Sequence, residues 1–391
     1  MDDPSVGVYV HVPFCERVCP YCDFAVVATG RRKPAGEEGY VDALLREIEL
    51  RSPVFAGRRL ASLYLGGGTP SLLAPGQVAR IIDAVRAAFA SDAPVEITLE
   101  VNPSTLERSR LPGFREAGVG RVSIGVQSFD DATLKRLGRA HRAAEARRSL
   151  SACRAAGFEA ISLDLIFGAP GQTVDVFERD LAELLDFGPE HVSTYELTLE
   201  PGTPFEAAAA RGRLALPDEE RVLAMMDRVE ARLGEAGYRR YELSNYAREG
   251  FEAVHNRRYW ERRPVLGLGV GAFSTDPPSP EAPFGVRRAN PRDLEAYLAA
   301  AAGSFPARAP EAEVLDAATA RGEAAFLALR CARGLDAERF AREFGEPPRA
   351  FWSGSIEELV AAGLLEEQAS GDLRLSPRGR RLSDSVFEHF V

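Results

Sequence analysis

Six short β-branched runs, each followed by an amphipathic stretch, constrain this chain more than any other feature. The runs GVYVHV (7–12), SLYLG (62–66), VEITLEV (95–101), RVSIGVQ (121–127), AISLDLIFG (160–168) and HVSTYELTL (191–199) read as strands. Helical patterns fill the gaps, at about 37–51, 75–90, 105–117, 142–156 and 173–187. In VDALLREIEL the apolar residues recur at three and four spacing, as one buried helix face requires. REAGVG (115–120) and RAAGF (154–158) place Gly where a left-handed cap would stop a helix and release the next strand. Such alternation predicts an α/β protein with a parallel sheet built from right-handed crossovers. The polar residues Glu100, Gln127 and Asp164 fall at the C-terminal ends of their strands. That is the active face of a β/α barrel, so a partial (β/α)6 barrel is expected rather than a doubly wound sheet.

The pattern changes further along. TDPPSPEAPFG (275–285) reads as a surface loop. Helical patterns at 312–330, 336–344 and 354–363 precede LLEEQASGDLRLSPRG, a strand–turn–strand. Three helices and a hairpin predict a winged-helix-like C-terminal domain. The expected division is 1–200 for the partial barrel, 201–305 for an extension of it and 306–391 for the winged-helix-like domain. Apolar residues at 45% and charged residues at 27% exclude wholesale disorder. With 48 Lys and Arg against 58 Asp and Glu, the net charge is −10. An acidic chain without a basic recognition helix in SGSIEELVAAG (353–363) is not expected to bind nucleic acid. Asp2 and Asp3 replace the basic start of a secretory signal, and no apolar window reaches membrane-span length, so a reducing cytoplasm is expected.

Of five Cys, three lie within eight residues, in CERVCPYC: Cys15, Cys19 and Cys22. In a reducing compartment this density points to a metal centre rather than disulfides. A structural zinc site would want a fourth ligand close by, and none follows. A four-iron cluster held by three Cys leaves one iron open for a ligand. Adventitious zinc and three unligated thiols are the plain alternatives. LYLGGGTPS (63–71) puts Gly66, Gly67, Gly68 and the Thr69 hydroxyl directly after a strand, where backbone can approach a ligand or simply make a tight turn.

These residues resemble a known family. YVHVPFCERVCPYCDF is similar to the C-x3-C-x2-C motif of the radical S-adenosylmethionine (SAM) superfamily, and its flanks to the coproporphyrinogen-oxidase-like branch that contains HemN and HemW. The resemblance covers nearly the whole chain. It implies a 4Fe-4S cluster on Cys15, Cys19 and Cys22. It also implies SAM bound through its amino and carboxylate groups to the open iron, where electron transfer cleaves the sulfonium to a 5′-deoxyadenosyl radical. By the same resemblance Tyr9, Tyr21, Gly67, Gly68, Thr69, Glu100, Gln127, Arg139 and Asp164 belong to the SAM pocket, some of them to a second SAM. Read alone, Glu100 is as well explained as a solvated carboxylate, and Tyr9 and Tyr21 as core aromatics. Asp164 interrupts an apolar strand, so it should face a ligand, water or Arg139.

Two departures from the oxidase type stand out. HemN-type oxidases carry a fourth Cys two residues beyond the third, where this chain has Phe24, and a long arm before the cluster, where this chain has Cys15 near its start. HNRRYW (255–260) instead matches the H-N-x-x-Y-W signature of the HemW type. His255 offers an imidazole for heme iron, and Tyr259 and Trp260 offer flat faces for a porphyrin. Arg257, Arg258, Arg262 and Arg263 offer charges for heme propionates. A lone His is otherwise a hydrogen-bonded structural residue, and the arginines otherwise a solvated loop. LGLGVGAFS (266–274) is expected to close the pocket floor. The resemblance thus implies a heme chaperone with heme, cluster and SAM as cofactors. Its partners would be an electron donor and heme-accepting respiratory proteins, reached at the membrane surface. The alternative is an oxygen-independent coproporphyrinogen III oxidase, which abstracts hydrogen from a propionate side chain before decarboxylation.

Overall fold

The structure, a computed structural model, describes residues 4–29, 36–91, 93–303 and 312–391. Six parallel strands form its centre: β1 (Ser5–Val12), β2 (Arg59–Gly67), β3 (Glu96–Val101), β4 (Arg121–Gln127), β5 (Ala160–Phe167) and β6 (His191–Glu196). Each pairs with the next in register, for example Tyr9 opposite Tyr64 and Glu100 opposite Ser123. Helices Glu37–Arg51, Pro75–Ala88, Thr105–Glu116, Ala143–Ala155 and Val174–Phe187 cross between them. The partial (β/α)6 barrel expected from the strand–helix alternation is therefore the fold.

Alternation along each strand divides core from cavity. Val6, Val8, Val10 and Val12 of β1 are buried against Tyr40, Val41, Leu44 and Ile48 of the first helix. At about 1.5–3 kcal/mol for each fully buried aliphatic side chain, this outer layer is where the barrel gains its stability. Many inward residues are polar, among them Thr98, Glu100, Ser123, Ser162, Asp164 and Ser193, and they line a cavity instead of the layered apolar filling of a closed barrel.

A seventh parallel strand was not expected. Val265–Leu268 pairs with β1, Tyr9 opposite Gly267, and extends the sheet on that side. The segment read as a pocket floor is thus a strand and turn outside the cavity. Gly267 packs so closely on the Phe273 backbone that a Cβ there would lie 2.0 Å from its carbonyl oxygen, which accounts for the glycines that obscured the strand. Antiparallel strands Phe273–Asp276, Val286–Ala289 and Ala312–Val314 continue the sheet beyond it. At the opposite edge Asn245–Ala247 pairs with β6. The boundary expected at 305/306 lies outside the described residues, and 312–314 is strand where helix was expected.

The C-terminal part has helices Ala317–Arg330, Ala337–Phe344 and Pro348–Ala361 and the hairpin Leu365–Glu367 with Leu373–Leu375, around its own apolar core. Leu335 bridges to Leu373, completing a winged-helix-like arrangement. Arginine–carboxylate pairs tie it to the barrel: Arg262 to Glu343 at 2.7 Å, Arg333 to Glu261 at 3.1 Å and Arg380 to Glu230 at 2.7 Å. No helix among the described residues is long and apolar enough to cross a membrane.

Candidate cluster and cofactor site

The C-terminal ends of the strands open into a cavity of about 770 Å³, lined by Cys15, Cys19 and Cys22 together with residues of β2 to β6. The three thiols come from the loop after β1, which turns on itself through a Cys22 N–H bond to the Cys19 carbonyl. Burial pushes the Cys15 thiol up to about 11 and raises Cys22 as well. Among the described residues no three Cys, His, Asp or Glu side chains are grouped to hold a single metal ion. A four-iron cube, which binds each thiolate to a different iron, accommodates wider spacing, so the donor set fits a cluster better than a lone zinc ion.

The glycine run is shaped by this loop. A Cβ on Gly68 would lie 2.9 Å from Cys15 Sγ, and one on Gly67, at φ 107°, 2.5 Å from the His11 ring. Their amides are already used, Gly68 N–H on the Val12 carbonyl at 2.8 Å and Gly67 N–H on Glu100 Oε2 at 3.0 Å. In this conformation the two amides are engaged within the chain, and the glycines let β2 approach the cysteine loop. Thr69 Oγ1 donates toward Cys15 Sγ at 3.8 Å.

Glu100 lines the cavity and also accepts from the Tyr64 hydroxyl at 2.8 Å. Burial, with Asp164 nearby, lifts its carboxyl to about 7. Asp164 is lifted to about 6, again by burial, against bonds from serine hydroxyls, Ser123 Oγ donating at 3.2 Å. It makes no ion pair with Arg139, so the purely structural pairing weighed above is absent. Two carboxyls held in a cavity favour a cationic or hydroxyl-bearing occupant over an anion.

Gln127 reaches the cavity by a strained route. It has φ 66°, and the β4–β5 register shifts just before it. The following residues are clamped from outside: Ser128 Oγ and Phe129 N–H each donate to Asp180 at 2.7 Å. Asp180 belongs to helix Val174–Phe187 and is buried. Arg139 lies across the mouth, donating to Asn102 Oδ1 at 2.5 Å, the Gly125 carbonyl at 3.0 Å and Cys19 Sγ at 3.6 Å. Tyr21 lines the same cavity with its ring 6.2 Å from Phe205.

Other residues are placed differently. Tyr9 does not line the cavity; its hydroxyl bonds His11 Nδ1 at 3.1 Å and its ring stacks on Tyr64 and His255. His255, Tyr259 and Trp260 lie on helix Val254–Trp260, outside the cavity lining. His255 is 2% exposed, with Nδ1 2.9 Å from Ser62 Oγ and Nε2 3.3 Å from the Tyr259 hydroxyl. Its backbone N–H bonds Glu96 Oε1 at 3.1 Å. Trp260 lies under the Arg330 guanidinium, 4.5 Å from the ring centre. The surrounding arginines are also engaged: Arg257 with Glu252 and Glu261, Arg258 with Ser5 and the Pro264 carbonyl, Arg262 with Glu343, and Arg263 with Glu261. The expected open heme platform, with free propionate partners, is thus a closed segment in this conformation.

Three site residues escaped the motif search. Asn102 donates to Thr69 Oγ1 at 2.7 Å and accepts from Arg139. It stands two residues after Glu100, which is the signal that places both toward one side of the strand end. Tyr195 of β6 lines the cavity and is 42% exposed. Asp180 carried no signal, because its effect runs through backbone of another element.

Comparison with known proteins agrees with this architecture. Residues 9–184 match the Radical SAM superfamily and residues 315–382 the HemN C-terminal domain, which together define the class of protein. Heme chaperone HemW of Lactococcus lactis is 33% identical over 98% of this chain and 97% of its own length. Heme chaperone HemW of Escherichia coli is 38% identical over 69% of this chain and 70% of its own length. The chain belongs to the HemW family. Among solved structures, coproporphyrinogen III oxidase (HemN) of Escherichia coli, described as a radical SAM enzyme, is similar with a TM-score of 0.83 and 25% identity, covering 99% of this chain and 90% of that one.

Proposed function

We propose that this chain is a heme chaperone that binds heme, a 4Fe-4S cluster and SAM, and passes heme to acceptor proteins such as respiratory enzymes. The observation that carries the reading is the likeness to heme chaperone HemW of Lactococcus lactis along 98% of the chain. Phe24, 60% exposed beside the cysteine loop, supports it, because the oxidase type has a fourth Cys at that place.

Cys15, Cys19 and Cys22 hold the cluster in this proposal. When bound, the cluster supplies one electron to the sulfonium of SAM. Glu100 and Asp164 receive the cationic and hydroxyl-bearing parts of SAM, Gln127 and Arg139 border it, and the Gly66–Thr69 turn forms the wall behind it. Tyr21 gives an aromatic face on the Arg139 side. Tyr9 acts from behind, keeping His11 and Tyr64 in place.

Heme is assigned to the segment His255, Tyr259 and Trp260, in an opened state. The Ser62 bond on Nδ1 is the orienting partner that an iron-binding imidazole needs, and Nε2 faces only the long bond to Tyr259. Exchanging that bond for iron costs about 1 kcal/mol of hydrogen bonding, so the larger barrier is moving the helix away from the barrel floor.

The second reading, coproporphyrinogen III oxidation, is favoured by the whole-chain likeness to HemN. Anaerobic reconstitution followed by parallel assays separates the two. The chaperone reading expects heme binding without decarboxylation of coproporphyrinogen III; steady decarboxylation with SAM consumption would overturn it.

A further inference from the structure

We propose that Arg139 tunes the redox potential of the iron–sulfur cluster through Cys19, a role separate from any contact it makes with SAM. The proposal rests on the assignment of Cys15, Cys19 and Cys22 to a cluster.

The argument begins with an unbalanced charge. Among the described residues, Arg121 at the other end of the cavity has a carboxylate partner, Glu96, at 3.0 Å. Arg139 forms no ion pair among the described residues. Its guanidinium is shared among the Asn102 amide oxygen, the Gly125 carbonyl, the Tyr21 hydroxyl and the Cys19 sulfur. Its Nε is buried with no hydrogen-bond partner. Holding a cation out of water without an anion is costly. The group that would balance it is the sulfur it touches: three cysteine thiolates make a 4Fe-4S cluster anionic in its oxidised state and more so when reduced.

The contact is built rather than incidental. Arg139 follows Gly138, whose φ of 70° turns the chain toward the cysteine loop, and a Cβ on Gly138 would lie 2.5 Å from Pro20 Cδ. The turn carrying Arg139 and the loop carrying Cys19 therefore pack in direct contact. Asn102 then extends the network, donating to Thr69 Oγ1, which in turn donates toward Cys15 Sγ. Two of the three thiols are joined through one chain of side chains: Cys19, Arg139, Asn102, Thr69, Cys15.

A fixed cation and N–H donors beside a cluster stabilise its more negative, reduced form, and so raise its reduction potential. The change is one electron onto the cluster, supplied in the test by titanium(III) citrate, with no bond made or broken. Arg139 thereby makes the electron easier to load from a donor of moderate potential.

The test is an anaerobic redox titration of the reconstituted full-length chain, followed by electron paramagnetic resonance, without SAM so that contacts to SAM contribute nothing. Arg139→Gln is expected to shift the midpoint clearly to more negative potential. Arg139→Lys, which keeps the charge, is expected to shift it less, and Thr69→Val, which removes one donor to Cys15, by a small amount in the same direction. An unchanged midpoint in Arg139→Gln, with wild-type iron and sulfide content, overturns the proposal. Should that variant fail to hold a cluster, Arg139→Lys and Asn102→Ala decide: unshifted midpoints in both overturn it equally. Absence of a four-iron signal in the wild type would instead sink the cluster assignment itself.

Discussion

The cysteine loop and the Val254–Trp260 helix both carry signatures visible in the sequence, yet they fold into opposite kinds of place. Cys15, Cys19 and Cys22 open onto a cavity. His255 and Tyr259 are closed in, with both imidazole nitrogens in hydrogen bonds. His255 is 2% exposed, so the heme role proposed for it needs the helix to open first. A motif picks out residues, whereas the surrounding hydrogen bonds decide whether those residues face a cavity or are closed in.

The contrast is broken most severely at the cysteines. Ala in place of Cys15, Cys19 or Cys22 is expected to abolish the cluster, measured as iron and sulfide after anaerobic reconstitution. Cys153→Ala and Cys331→Ala are expected to retain it. Iron content surviving in Cys19→Ala would contradict the assignment.

Asp180 gives the next largest effect. Asp180→Ala leaves the Ser128 hydroxyl and Phe129 N–H buried without acceptors, at about 1–3 kcal/mol for each orphaned group. Urea unfolding of the cluster-free protein should report the loss. SAM affinity should fall too, since Gln127 loses the clamp that holds its strained backbone. Asp180→Asn, which keeps an acceptor oxygen, should recover part of both. Full stability in Asp180→Ala would remove the clamp from the account.

The smallest effect is on pH dependence. Glu100 and Asp164 have folded-state values of about 7 and about 6, both above the ordinary carboxyl range because of burial. Raised acids bind protons more tightly folded than unfolded. Their stabilising contribution is present at low pH and is lost as pH rises through about 6 to 7. Buried Glu47, Glu107 and Asp180, each raised to about 7, act in the same direction. Denaturation between pH 5 and 8 should therefore show the ligand-free chain losing stability with rising pH, and Glu100→Gln should flatten that slope without removing it. An identical slope in the variant would show that Glu100 does not titrate there.

Much of the barrel was legible in the sequence because single residues punctuate it. RVSIGVQ is strand from its first residue to its last, and the helix expected at about 37–51 is Glu37–Arg51. Period-two and period-three-to-four patterns survive wherever one face meets a core. The seventh parallel strand did not show, since the glycines in VLGLG that let backbones approach also depress strand propensity. The cavity residues at strand ends were legible for the same reason that polar groups there are costly without purpose. Asn102, Asp180 and the enclosure of His255 were not, because each depends on a hydrogen bond to a distant element, and spacing along the chain carries no record of it.

A heme titration followed by absorbance tests whether heme, as proposed, is held at His255 and apart from the cysteines. Wild type, Cys19→Ala and His255→Ala are titrated with heme under identical anaerobic conditions. The account predicts that Cys19→Ala, without a cluster, binds heme with wild-type affinity and an unshifted Soret band, while His255→Ala binds more weakly with a shifted one. Unaltered affinity and spectrum in His255→Ala, or loss of heme in Cys19→Ala, would contradict it.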